Sequence, residues 1–111
     1  MAALNAILVE LREGLESLLG ERLRRVVLYG SHARGDATQD SDIDVLVVLE
    51  GPVIPGREID RMLDLVTELG WKHSTLISVM PVSEDDYLTV ESPLLLNVRR
   101  EGRELWVRSS R

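Results

Sequence analysis

The stretch Ile43-Asp44-Val45-Leu46-Val47-Val48-Leu49 constrains this chain most. From Val45 to Leu49 it is continuously apolar and mostly β-branched. A strand without polar alternation is one covered on both faces. Two acids stand at its start, Asp42 and Asp44. Strand geometry puts residues i and i+2 on one face, with Cα atoms roughly 6.5–7 Å apart. Ile43 and Val45 then turn the other way, into the core. Two carboxylates held so close repel each other unless a cation sits between them. Their hard oxygens suit Mg²⁺ or Mn²⁺.

The flanking sequence supplies the layers. Leu4, Ile7, Leu8, Leu11, Leu15, Leu18 and Leu19 recur at helical spacing and stop at Gly20, a residue suited to the position after a helix. Val26 to Tyr29 reads as a strand. Gly51, Pro52, Pro55 and Gly56 mark a loop. A second helix carries Ile59, Met62, Leu63, Val66 and Leu69 on one face, and Gly70 closes it. Leu76 to Met80 reads as a third strand ended by Pro81. Ser83 caps a short turn through Tyr87, and Glu84, Asp85 and Asp86 fit a helix start. Ser92-Pro93 opens a helix, serine as cap and proline in the first turn, that runs to about Glu101 and stops at Gly102. Leu105 to Val107 forms a short edge strand. The brief polar link between the first two strands predicts an antiparallel pair, hence a mixed sheet. The expected class is α+β, two layers, a small mixed β-sheet with helices packed on it. Trp71, Trp106 and Tyr29 are too scattered for a base-stacking platform and are expected to pack in the core or at its edges.

Composition narrows the function. The 111 residues fit one domain, residues 1–111. There is no cysteine, which excludes disulfides and thiolate chemistry and agrees with a reducing cytoplasm. No apolar run approaches the ~18 residues of a membrane helix. The N-terminus lacks a basic leader and is interrupted by Glu10 and Arg12, so it is not read as a signal peptide. A net charge of -6 argues against broad binding to nucleic acid. The exception is a tail with Arg99, Arg100, Arg103, Arg108 and Arg111. It reads as a solvated face; it is also all that supports an RNA end or a small molecule as substrate.

Between the first two strands lies Gly30-Ser31. A strand that turns there into a short helix points main-chain N–H groups outward, and such a terminus attracts anions. Gly30 has no Cβ to keep a phosphate off the backbone, and the Ser31 hydroxyl can donate to it. Arg34 either adds charge nearby or pairs with a carboxylate and holds the loop. Alone, each feature is a common turn or a solvated strand end. Together, Gly30-Ser31, Ala33-Arg34-Gly35 and Ser41-Asp42-Ile43-Asp44 give the pattern G-S-x-A-R-G-x5-S-D-x-D.

With that pattern the chain resembles the minimal nucleotidyltransferases of the DNA polymerase β superfamily. The resemblance runs from the leading helix to Glu101-Gly102. It implies a nucleotidyltransferase fold, with Gly30 and Ser31 binding the triphosphate, and Arg34 and Ser41 supporting nucleotide binding. It implies Asp42 and Asp44 as catalytic residues and metal ligands. The implied reaction is Mg²⁺-dependent transfer of a nucleoside monophosphate, AMP from ATP, to a hydroxyl. Family members of this size commonly work with a helical partner of the HEPN type. Some adenylylate a tyrosine on it, as antitoxin to a HEPN ribonuclease toxin. A homo-oligomer stays open.

One departure matters. The family often carries a third carboxylate on the strand after the second helix. Here that stretch, Lys72 to Met80, contains no acid, and Ser74 or Ser78 falls roughly in its place. The alternative reading is therefore a nucleotide-binding antitoxin with little or no turnover that acts by contact. His73 could serve as a base but is expected at the surface, and His32 is expected as an exposed turn residue.

Overall fold

The computed structural model describes residues 4–108; Arg111 of the arginine tail lies outside them. Helix α1 spans Leu4–Leu19, followed by a 3-10 turn, Gly20–Arg22. Strand β1 is Leu23–Tyr29, the short helix α2 is Ser31–Arg34, and β2 is Ile43–Leu49. Helix α3, Pro55–His73, leads to β3, Ile77–Ser83. Helices α4, Glu84–Thr89, and α5, Pro93–Glu101, precede β4, Arg103–Val107. The sheet order is β3-β2-β1-β4. β1 runs antiparallel to β2 and to β4, and β2 runs parallel to β3. The sheet is mixed, as expected, because a short link can only reverse the chain whereas the α3 crossover returns it in the same direction.

β2 is central and its apolar run is wholly buried. Ile43, Val45, Val47 and Leu49 meet Ile7, Leu11 and Leu15 of α1 and Met62 and Leu69 of α3 in one core cluster. Leu46 and Val48 point the other way, toward Tyr87 of α4 and Leu95 and Val98 of α5. The absence of alternation thus reports a layer on each face. Among the described residues no helix is long and apolar enough to cross a membrane.

Several boundaries differ from expectation. β1 begins at Leu23 rather than Val26 because Arg24 and Arg25 interrupt the apolar pattern. In the fold these two arginines sit in the strand, paired with Glu50 and Glu104. Pro81 lies within β3 instead of ending it. The Leu76 carbonyl accepts from Ile43 N–H (2.9 Å), so strand alternation turns Pro81 away from β2. On an edge strand that side needs no donor. α3 passes through Gly70 to His73 and is capped by Ser74, whose φ of 53° is left-handed. Gly70 is needed for a different reason: a Cβ there would stand 2.7 Å from the Thr75 carbonyl oxygen. The returning chain packs on the bare Cα and donates Thr75 N–H to the Gly70 carbonyl (3.0 Å). Leu18 and Leu63, read as core positions, are 47% and 51% exposed.

Ser83 accepts from Asp86 N–H (3.1 Å), and Ser92 from Leu95 N–H (3.2 Å), both as N-caps. The arginine tail is not simply a solvated face. Arg108 donates to the Leu23 and Gly20 carbonyls (2.9 and 3.0 Å), and Arg99 donates to the carbonyls of Tyr87 and Val90. His73 is neither surface nor free. Its side chain is 10% exposed and pairs with Glu10 of α1. Lys72 and His73 together hold the Glu10 carboxyl below its ordinary range.

Glu58, on α3, is the charged residue of the core at 5% exposure. Arg22 grips it with both guanidinium nitrogens, at 3.1 and 2.9 Å. That fork lowers the Glu58 pKa against the opposing effect of burial. The stability contributed is therefore present at neutral pH and is lost as acid protonates the carboxylate. Glu58→Gln is expected to cost about 1–2 kcal/mol at pH 7, below a fully buried pair because Arg22 is partly solvated. Urea unfolding across a pH series should show the difference shrinking toward acid pH.

Candidate active site

The motif residues meet where β1 ends and β2 begins. Tyr29 and Asp44 are paired across these strands, and Asp44 is paired with Ser78 on the other side. Asp44 is half-buried, and Asp42, just before the strand, is exposed. The structure resolves the open choice for the missing third acid. Ser78 is the residue beside Asp44, whereas Ser74 is the left-handed cap of α3.

Gly30 takes φ 76° and ψ -157°, a conformation essentially reserved for glycine. A Cβ there would fall on Oδ2 of Asp44. The bare Cα thus admits the catalytic-candidate carboxylate onto the turn, a role that the sequence reading had given only to phosphate. The Gly30 carbonyl accepts from Ala33 and Arg34 N–H, both at 3.1 Å. This closes α2 and leaves the N–H groups of Ser31 and His32 ahead of its first internal bonds.

Arg34 pairs with carboxylates: Asp36 at 3.2 Å and Glu101 of α5 at 3.7 Å. Of the two roles open for it, holding the loop is the one the geometry displays. The Ser41 hydroxyl accepts from Thr38 N–H (2.9 Å), and Ser41 N–H returns a bond to the Thr38 carbonyl (3.1 Å). His32 Nε2 lies 3.3 Å from the Ser41 carbonyl. It is half-buried and ties α2 to the loop before Asp42, which an isolated turn residue would not do.

Burial raises the Asp44 pKa first, and the neighbouring charge of Asp42 raises it further; His32 and Arg34 oppose both. The Tyr29 hydroxyl is also pushed up, by burial and then by Asp44. This is a pair of oxygen donors that is strained as a dianion, which fits a hard divalent cation. Among the described residues no cluster of three or more His, Asp or Glu could hold a metal. A cation here would take its protein ligands from the pair.

The sequence reading missed one wall of the site. A cavity of about 640 Å³ opens beside Asp42, lined by Leu63, Val66, Thr67 and Trp71 of α3 and by Ser74 to Ile77. Trp71, expected to pack in the core or at its edges, is 82% exposed there. The signal was available: Leu63, Thr67 and Trp71 recur every four residues, a stripe separate from Met62 and Leu69. Trp106 does pack against the core. A second cavity of about 570 Å³ lies between His32, His73 and the N-terminal turn of α1, and residues 39–41 line both.

Gly30→Ala is expected to lower the unfolding free energy by roughly 1–3 kcal/mol from backbone strain, with further loss from the collision with Asp44. In urea unfolding, the double variant Gly30→Ala/Asp44→Ala should recover the collision part and keep the strain.

Residues 8–101 match the nucleotidyltransferase domain family. Two Methanocaldococcus jannaschii proteins, both named as putative protein adenylyltransferases, are similar along the chain. One is 36% identical over 98 residues, covering 87% of this chain and 92% of the relative. The other is 35% identical over 100 residues, covering 86% and 66%. A toxin–antitoxin crystal structure with AMP-PNP aligns at a TM-score of 0.68 and 18% identity, over 96% of this chain and 75% of that one. A complex of tri-AMPylated Shewanella oneidensis HEPN toxin with MNT antitoxin aligns at 0.52 and 17% identity, over 92% and 73%. These structural likenesses speak to the fold. Fold, motif and relatives agree, and the chain belongs to the nucleotidyltransferase domain family, an enzyme of the nucleotidyltransferase class.

Proposed function

We propose that this chain is a Mg²⁺-dependent adenylyltransferase that moves AMP from ATP to a hydroxyl on a partner protein of the HEPN type. The observation that carries the reading is the seating of the Asp44 carboxylate on the bare Cα of Gly30. It joins the phosphate-binding turn and the acid pair into one site. Two further facts support it: relatives named for protein adenylylation, and a structural neighbour whose HEPN partner is AMPylated.

In this reading Gly30, Ser31 and the N–H groups that open α2 hold the terminal phosphates. Asp42 and Asp44 hold the cation, Mg²⁺ or Mn²⁺, which when bound offsets charge on the entering and leaving oxygens. Arg34 and Ser41 keep the turn and the loop in register, which fixes the distance between phosphate and acids. The protein's work is positioning and electrostatics, and these suffice for phosphoryl-type transfer. Ser78 beside Asp44 cannot act as a carboxylate base, so the acceptor's proton passes to solvent or to a group on the acceptor protein.

Ser78 also favours a second reading, in which the chain binds nucleotide and restrains its partner by contact with little turnover. Mixing the chain, a HEPN-type helical partner, Mg²⁺ and α-labelled ATP separates the two. Label is expected on the partner, lost on chelation and reduced at least about 100-fold by Asp42→Asn or Asp44→Asn. A complex that forms without label supports the second reading; label that survives both substitutions removes the acid pair from the mechanism.

Asp44→Asn carries a second expectation. The folded pKa of Asp44 is raised, so its ionised form costs stability above the ordinary carboxylate range. Without metal at neutral pH, the inactive Asn variant should resist urea better than the parent protein.

A further inference from the structure

We propose that the acid pair is a one-cation centre and that Ser78 sets that number. This rests on the reading of Asp42 and Asp44 as cation ligands, and it adds how many cations the chain holds and which residue decides it.

Residues paired across a sheet share a face. The neighbours of Asp44 on its own face are therefore Tyr29 of β1 and Ser78 of β3. Ile43 is in register with Ile77, so the position beside Asp42 is Leu76. None of these three residues brings a negative charge. The Tyr29 hydroxyl is pushed up by burial and then by Asp44, which keeps it protonated at neutral pH. Leu76 has no side-chain oxygen. Ser78 is exposed and offers a neutral hydroxyl.

The other acids near the motif do not fill the gap. Asp36 and Glu101 both pair with Arg34. Asp40 lies in the loop before the pair, and among the described residues no three acids or histidines come together in a group that could hold a metal.

Charge and ligand number then decide how many cations fit. One Mg²⁺ or Mn²⁺ is commonly held by one or two carboxylates, with substrate phosphates and water completing the octahedron. The pair meets that requirement, and its two negative charges equal the charge of one divalent cation. Two cations in a shared site stand roughly 3.5–4 Å apart, and their repulsion has to be offset by further anions beside them. The place for such an anion is the β3 position in register with Asp44, one strand spacing away, about 4.7–4.9 Å. Serine there gives an oxygen without the charge. The protein side of the site is balanced by one cation and has no net attraction left for a second.

Equilibrium dialysis of the full chain, saturated with AMP-PNP, against labelled Mn²⁺ tests this. AMP-PNP crosses the membrane, so the excess Mn²⁺ on the protein side is the amount the chain binds. One equivalent is expected on the parent protein and on Ser78→Asn, and two on Ser78→Asp. Ser78 is exposed on an edge strand, so both variants leave the core untouched. Stability gives a second readout. Without metal, Ser78→Asp places a third carboxylate against a pair that already repels, and it should unfold at lower urea than Ser78→Asn; added Mn²⁺ should abolish that deficit. Two equivalents on the parent protein overturn the proposal and leave Asp42 and Asp44 as cation ligands. One equivalent on Ser78→Asp overturns it as well, because Ser78 then does not set the number. If the parent protein retains AMP-PNP but no Mn²⁺, the proposal falls together with the reading of the pair as ligands.

Discussion

Everything in this fold hangs on the burial of β2. Both faces of the strand are covered, α1 and α3 on one and α4 and α5 on the other. Five successive apolar side chains from Val45 to Leu49 are removed from water, each a contribution of about 1.5–3 kcal/mol. A one-residue slip would exchange every side chain between two differently shaped cores. Register is therefore fixed tightly, and Asp44, at the open end of the same strand, inherits that precision. A carboxylate that belongs against a glycine Cα is held there by the buried valines and leucines that follow it in the strand.

The site is a junction of elements with unequal roles. β1 delivers the turn and β2 delivers the acids. α2 supplies N–H groups and, through Arg34, a tie to Glu101 of α5. His32 anchors α2 to the loop that leads into Asp42. These ties hold the Gly30-Ser31 turn and the acids Asp42 and Asp44 together at one end of the sheet. On the β3 side the support ends with Ser78.

Much of this was legible in the sequence, for reasons that can be named. The unbroken run from Val45 to Leu49 announced a doubly covered strand, and Ser92-Pro93 announced a helix start that the structure shows with its cap bond. The motif was readable because its members lie within fifteen positions, Gly30 to Asp44, and local spacing is what sequence patterns record. Most of the misread features depend on contacts that a residue pattern does not record. Gly70 looked like a helix stop because glycine commonly follows a helix, whereas here it lets the chain beyond the cap pack Thr75 against the last turn. His73 looked like a surface residue because its partner, Glu10, is on α1. Pro81 looked like a strand end because nothing local says that β3 is an edge. Trp71 was assigned to packing by residue type, although its helical phase set it apart from Met62 and Leu69.

Pro81 has one more consequence. An edge strand offers a row of free main-chain groups to any strand of another molecule. On β3 the outward side is interrupted at Pro81, which has no N–H to give. A ladder growing there from a second chain would lose a rung midway along the strand. The same residue that confuses a reading of β3 thus guards its margin against strand pairing with another molecule.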